Sequence, residues 1–194
     1  MKVELISITP MAEDLISVGY AKCTGKKKIP LENLRKWIAL DHTSVLEHAV
    51  ATFEIKGISR ACLSQLTRHR IGCSYSVRSQ RYNDVSNDEI IVPDLPEPWR
   101  QWYKDRVNSA RDLYIDMVAN GIPLEDARAV LPIATTTELI MTMNFRAARH
   151  FIELRSTEHA QAEIRLLARK ILDILIDHAP HIFEDLSFNR QGKE

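Results

Sequence analysis

The sequence predicts a mixed fold of the α/β class, α+β in type: a single domain over residues 1–194, with a small sheet and several helices. Three observations carry that expectation. Short alternating or β-branched segments recur near residues 3–8, 49–58 and 135–143. Between and after them lie longer stretches whose apolar residues fall at three and four spacing, bounded by Pro10, Pro30, Pro98, Pro123 and Pro132. Hydrophobic residues make up 45% and charged residues 27%, enough to bury one core and too apolar for a disordered chain.

Taken in order, Val3, Leu5, Ile6 and Ile8 predict a strand that stops at Pro10, and Met11 to Tyr20 a short helix. The basic run Lys22 to Lys28 reads as a solvated turn. Pro30 suits the first position of a helix carrying Leu31, Leu34, Trp37 and Ile38. Ala49 to Ile58 alternates and predicts a strand, after which Ser59 can cap a helix running to about Arg70. Residues 71–92 are irregular or hairpin-like, ending in Ile90 to Val92. From Pro96 or Pro98 a long amphipathic helix carries Trp99, Trp102, Tyr103, Val107, Ala110, Leu113, Tyr114 and Met117 as a packing stripe, closed by Asn120 and Gly121. A second helix spans Pro123 to Pro132, Thr135 to Met143 is a strand, and Phe145 to about His178 is helical with a break at Ser156 and Thr157. Ala160, Ile164, Leu167, Ala168, Ile171 and Leu175 form a core stripe there, and Asn189 to Glu194 reads as a loose tail.

Several function classes fall away on composition. With 26 Lys+Arg against 26 Asp+Glu the formal charge is zero, so a globally basic nucleic-acid binder is not expected. No apolar run reaches the roughly eighteen residues of a membrane span, and the N-terminus lacks a signal-peptide core, which makes the cytoplasm the expected location. Cys23, Cys62 and Cys73 fit neither a disulfide framework nor a zinc ribbon and read as reduced thiols. There is no G-x-G-x-x-G. Gly19 and Gly25 before Lys26 have five residues between them rather than four, with Lys27 where a P-loop needs Ser or Thr. Phosphate must therefore be held by side chains or helix ends.

Local charge is the informative feature. Between Ile55 and Asn83 stand Lys56, Arg60, Arg68, Arg70, Arg78 and Arg81, with no acidic residue. Five of the six are Arg, the side chain that grips phosphate in a bidentate fork, so an anionic ligand is expected. Arg68-His69-Arg70, followed by Ser74, Tyr75, Ser76, Ser79, Gln80, Arg81 and Tyr82, offers donors for phosphate, ribose and a ring face.

The run R-H-R-I-G-C-S-Y-S-V-R-S-Q-R-Y at 68–82 resembles the signature of flavin-dependent thymidylate synthases, R-H-R followed after seven or eight residues by Ser and then x-Arg-Tyr. Further blocks resemble that family in the same order. They are His42-Thr43-Ser44-Val45-Leu46-Glu47-His48, Gln65 three residues ahead of the signature, and Pro123-Leu124-Glu125-Asp126-Ala127-Arg128 with Leu131-Pro132. The last comprises Asn144-Phe145-Arg146, His150, Leu154-Arg155 and His159-Ala160-Gln161 with Glu163. Two features depart from the pattern. A glutamate common in the family before the signature Ser is Val77 here, and Arg78 stands directly before Ser79.

The resemblance implies a mixed α/β domain assembled as a homotetramer with active sites shared between subunits, and no nucleic-acid or membrane partner. It implies reductive methylation of deoxyuridine monophosphate to thymidine monophosphate, with methylenetetrahydrofolate as carbon donor, FAD as cofactor and NADPH as reductant, and no protein nucleophile. By the same resemblance, Arg68, His69 and Arg70 would contact FAD, and Asn144, Arg146, His150, Ser44 and His159 would complete the flavin site. Gln65, Leu66, Thr67, Ser79, Gln80, Arg81 and Arg128 would hold the nucleotide, with Arg68 beside it, and Arg155 would face the uracil. A guanidinium there stabilises charge developing on the ring without a proton transfer of its own.

Two other readings compete. His42, Glu47 and His48, or His159 with Glu163 four residues on along a helix, could ligate a metal in a hydrolase, although no third ligand has a persuasive spacing. No metal is expected. The Arg and Tyr cluster could serve a small RNA-binding module, which leaves the blocks around Arg128 and Arg155 without a role. His178 and His181 read as surface residues.

Overall fold

The computed structural model describes residues 1–190, with side chains to 187. Its strands are β1 (Lys2–Ile8), β2 (Val50–Ser59), β3 (Cys73–Val77) and β4 (Thr136–Asn144). The helices are α1 (Ala12–Thr24), α2 (Leu34–Ala39), α3 (Arg60–Leu66), α4 (Trp99–Ala119), α5 (Leu124–Ala127), α6 (Phe145–Arg155), α7 (Ala162–His178) and α8 (Pro180–Phe183). Short 3-10 turns occupy Leu31–Asn33, Ser44–His48, Arg128–Val130 and Glu184–Arg190. Asn189 and Arg190, read from sequence as loose tail, belong to the last of these turns; 191–194 lie outside the described residues.

The four strands form one antiparallel sheet in the order β1-β2-β4-β3. Its register is set by main-chain bonds: Asn144 N donates to Gly72 O at 2.9 Å and Arg78 N to Glu138 O at 3.0 Å, so β3 and β4 run opposite ways. β3 thus pairs with β4 rather than closing a hairpin within residues 71–92. Alternation explains why β2 and β4 are strands. Ala51, Phe53 and Ile55 are buried along β2, and Thr137, Leu139, Met141 and Met143 along β4. At Gly57, with φ +68°, the phase of β2 slips by one, so that Ile58 and Ser59 are buried next. Ser59 Oγ then accepts from Cys62 N at 3.0 Å and starts α3, as the sequence predicts.

By contact the chain divides into two compact units. The first comprises Met1–Lys2, Ile55–Gln65 and Ser76–Leu139; the second comprises Val3–Glu54, Leu66–Tyr75 and the chain from Ile140 onward. In the first, Val85, Tyr114 and Ala127 are buried together under Met117, Leu124 and Val130. Only Tyr114 of α4 is fully buried. Trp99 and Trp102, expected as packing, are 60% and 53% exposed and meet edge to face at 5.9 Å; α4 packs chiefly on α5 and the 3-10 turn after it, which leaves this end of the stripe uncovered.

The second unit is built on α6 and α7. Ile164, Leu167, Ala168, Ile171, Leu172 and Leu175 fill one face of α7, matching the expected stripe, and the break between the helices covers 156–161. Arg149 on α6 is 7% exposed, and its guanidinium donates to both Asp185 oxygens at 2.7 Å and to the Ile182 carbonyl. A cation so buried is tolerated only because its donors are taken. The same segment is tied to α2 by the Arg35–Glu184 pair and to α1 by Glu13, whose oxygens meet His181 N at 2.7 Å and Nδ1 at 2.8 Å. His181 is therefore a half-buried tie between helices and not the surface residue expected. This C-terminal staple fixes α6, the helix that carries the site.

Candidate active site

The R-H-R segment lies beyond α3, not at its end. The helix stops at Leu66 because the carbonyls of Leu66 and His69 both lie within reach of the Tyr75 hydroxyl, at 3.0 and 2.6 Å. The chain then turns through Gly72, with φ +71°. A Cβ at Gly72 would lie 2.5 Å from Asn144 Nδ2, so only glycine lets the loop approach the start of α6. Asn144 holds that junction from the other side: its Oδ1 accepts from Ala147 N at 2.8 Å and caps the helix.

These constraints open a cleft of about 420 Å³ lined by Arg68, His69, Arg70, Ile71, Cys73, Ala147, His150, Leu154 and Arg155. Arg155 Nε donates to His69 Nε2 at 3.1 Å. The accepting nitrogen must be unprotonated, so His69 is the neutral tautomer with its hydrogen on Nδ1. Burial first, then the charges of Arg155 and His150, push the His69 pKa down to about 4. Its ring meets Phe151 edge-on at 5.1 Å and His150 at 6.0 Å. Arg68 and Arg70 are exposed and make no ion pair or hydrogen bond among the described residues. The Cys73 thiol is pushed up by burial, which opposes the thiolate a nucleophile would need.

A second cavity of about 520 Å³ shares Ile71, Ala147 and His150 with the first and adds Ile38, Asp41, Thr43, Leu46, Glu47, Asn144, Arg146, Arg149 and Glu153. Arg146 pairs with Glu47 at 2.6 Å, both side chains about half exposed. An exposed pair is worth only about 0–1 kcal/mol, so a ligand phosphate can compete for this arginine. Ser44 is exposed on the turn whose neighbours line the cavity, and His159 is exposed in the 156–161 break; neither lines it. His159 precedes α7, so the shared helix face with Glu163 on which a metal pair depended does not exist. Among the described residues no three His, Cys, Asp or Glu side chains are grouped to hold a metal. Sequence reasoning missed Asp41 and Glu153 and gave Glu47 no role toward the flavin. A carboxylate reached from another element leaves no spacing signal.

The first unit carries most of the remaining candidates. Arg81 pairs with Glu125 at 2.7 Å and lies over the Tyr82 ring, and Arg128 Nε donates to the Glu125 carbonyl at 3.1 Å. Ser79 Oγ accepts from Arg81 N at 3.2 Å. Gln80 Nε2 is shielded from solvent without a hydrogen-bond partner, and Gln65 is half-buried nearby in sequence at the end of α3. Arg60 is lowered in pKa by burial and then by the charge of Arg128. Leu66 and Thr67 belong to the second unit, Leu66 fully buried and Thr67 half-buried. Within the basic cluster of 55–83 some side chains are engaged internally: Arg78 is taken by Asp88 at 2.9 and 3.0 Å, and Lys56 also has an internal interaction.

A cleft edged by arginines that have no partner among the described residues, with a neutral histidine inside it, suits an anionic, ring-bearing ligand. Comparison with known proteins is more specific. The model of the thymidylate synthase complementing protein family matches residues 4–181. A flavin-dependent thymidylate synthase of Geobacter sulfurreducens is 41% identical over an alignment of 201 positions, covering 95% of this chain and 86% of that protein. Those of Thermococcus onnurineus and Mycobacteroides abscessus are 39% and 40% identical, over 76% and 78% of this chain and 62% and 68% of theirs. The chain belongs to the flavin-dependent thymidylate synthase family.

The state of His69 is open to direct measurement. A folded pKa of about 4, below the ordinary 6.5, means that the unfolded chain takes up a proton before the folded one does. His69 therefore contributes no pH dependence above 6.5 and a progressive loss of stability as pH falls from 6.5 toward 4. Histidine-resolved NMR should show His69 neutral at pH 5.5. In Arg155→Met its titration should move up but stay below 6.5, since burial persists; wild-type titration near 6.5 would contradict the site as described.

Proposed function

We propose that the cleft around Arg155 and His69, with the adjoining cavity on α6, holds FAD and the reacting ring of the nucleotide in the reaction of this family. That reaction is the reductive methylation of deoxyuridine monophosphate to thymidine monophosphate, with methylenetetrahydrofolate as carbon donor and NADPH as reductant. The observation that carries the reading is the Arg155–His69 bond, which joins the R-H-R signature to the C-terminal block across 86 residues in one cleft. The donor set fits FAD. Two adjoining cavities are edged by Arg68 and Arg70, which have no partner among the described residues, and by Arg146, whose ion pair with Glu47 is exposed and weak.

When bound, FAD supplies the hydride chemistry, and the chain supplies binding, orientation and charge. Arg68, Arg70 and Arg146 would neutralise its diphosphate, with His69, His150 and Asn144 fixing its position and Ser44 and His159 closing from the periphery. Arg155 spends its Nε on His69, which leaves both terminal nitrogens without a partner among the described residues. That fork can meet the ring carbonyls and stabilise the negative charge that grows as the ring is activated. Neither group moves a proton: guanidinium stays charged, and His69 is held neutral. Gln65, Leu66, Thr67, Ser79, Gln80, Arg81 and Arg128 would place the nucleotide, with Arg68 at its edge. The shielded, unpartnered Gln80 amide supports a ligand there.

Residues 1–194 are read as one domain, because a single family model runs through both units. Four copies would form a homotetramer, with Ser79, Gln80, Arg81 and Arg128 from one chain meeting Arg68 and Arg155 from another. No helix among the described residues is long and apolar enough to cross a membrane. The small-molecule site and zero net charge favour a cytoplasmic enzyme without nucleic-acid or membrane partners.

Two experiments test this reading. Arg155→Lys keeps the charge but loses the planar fork, and kcat should fall by roughly one to three orders of magnitude with FAD binding retained; near-wild-type turnover would remove Arg155 from catalysis. For the shared site, Arg81→Ala and Arg155→Ala should each be nearly inactive alone. After subunit exchange, an equal mixture should recover activity at about a quarter of its sites. Verified exchange without recovery would place both arginines on one chain.

A further inference from the structure

Arg78 departs from the family pattern at the position directly before the signature serine, and the structure gives it a partner. We infer that Arg78 and Asp88 form a positioning clasp that presets Ser79, Gln80 and Arg81 for the nucleotide; the inference rests on the proposed placing of the nucleotide on those three residues. Arg78 Nη1 donates to both oxygens of Asp88, at 2.9 and 3.0 Å, and Nη2 donates to the Asp84 carbonyl at 3.2 Å. The pair is largely buried, with side chains 29% and 13% exposed, so it is much less open to solvent screening than the Arg81–Glu125 pair.

Both ends of the enclosed loop are fixed by other means, and the clasp joins them. At its start, Arg78 N donates to Glu138 O on β4 at 3.0 Å, and Arg60 Nη2 donates to the Arg78 carbonyl at 2.9 Å. At its end, the Tyr114 hydroxyl donates to Asp84 Oδ1 at 3.2 Å and accepts from Val85 N at 3.3 Å, while Arg111 Nη1 donates to the Asp88 carbonyl at 3.3 Å. Between them, Asn83 folds back on Ser79, its N and Nδ2 donating to the Ser79 carbonyl at 3.1 and 2.8 Å. Ser79 to Arg81 thus lie on a short closed loop. Without the clasp, the end anchors remain but nothing joins them across the loop, and the remaining freedom of Ser79 to Arg81 would be lost each time nucleotide binds, a cost that appears in affinity rather than in the chemical step. Arg78 therefore acts through its neighbours and touches no ligand, which accounts for an arginine at a position where phosphate binding alone would not need one.

The test measures deoxyuridine monophosphate binding by calorimetry, together with steady-state KM and kcat, on the FAD-loaded protein. The variants are Asp88→Asn, Arg78→Lys, their double mutant and Arg81→Ala. Asp88→Asn should weaken nucleotide binding and raise KM about tenfold, with kcat within about threefold of wild type and FAD affinity unchanged. Arg78→Lys keeps the charge in a smaller head group and should fall between, and it keeps the test open should Asp88→Asn fold poorly. The double mutant should lose no more than the worse single variant, as coupled partners do. Nucleotide affinity within twofold of wild type in both single variants, effects that multiply in the double, or a loss confined to kcat would each overturn the clasp. If Arg81→Ala binds nucleotide like the wild type, the placing of the nucleotide on this loop fails instead.

Discussion

The site depends on one junction, the point where β4 turns into α6 at Asn144. Three segments distant in sequence are fastened there. Asn144 N donates to Gly72 O, Phe145 N donates to Ala49 O at 2.9 Å, and Asn144 Oδ1 caps the helix that follows. The first bond places the loop after Arg68-His69-Arg70, the second the turn containing Ser44 and Glu47, and the third the helix bearing Arg146, His150 and Arg155. Without a fixed start to α6, none of these groups would hold its place to within the few tenths of an ångström that hydrogen bonds to a ligand require.

Burial then separates the arginines that serve the fold from those proposed to meet a ligand. Arg149 is almost wholly buried, where an unpaired charge would cost several kcal/mol, and it is saturated by Asp185 and a carbonyl. Arg78, largely buried, is likewise committed to Asp88. Arg68 and Arg70 sit in solvent at the cleft edge, where an unpaired guanidinium costs little and remains free to meet an anion. Arg155 lies between these cases, half-buried, with one nitrogen engaged and two without a partner among the described residues. The neutral His69 beside it lets a cation sit close to another ring without adding to the positive charge.

Much of this was legible in the chain itself. Alternation marked β2, the Thr-, Ile- and Met-rich run marked β4, proline and the Asn120-Gly121 pair bracketed α4, and the R-H-R signature with the blocks around Arg128 and Arg155 pointed to the family. What stayed hidden was set by side chains reaching from elsewhere. The end of α3 at Leu66 depends on the Tyr75 hydroxyl, which accepts no rule based on local propensity. The exposure of Trp99 and Trp102 depends on how few partners α4 has, since a stripe at helical spacing does not say that anything packs on it. Arg78 counted in sequence as one of the six basic residues of the cluster and proved internal, because Asp88 lies ten residues away, outside any helical or strand spacing.

Close approach of the Gly72 loop to Asn144 is what builds the proposed flavin site, and the FAD dissociation constant of Gly72→Ala beside that of the wild type tests this dependence. Alanine adds no functional group and removes none, so any effect arises from the left-handed φ and from the clash with the Asn144 amide. FAD affinity should weaken at least tenfold while circular dichroism and cooperative unfolding show the fold retained. Wild-type FAD affinity in this variant would show that the site does not depend on the junction.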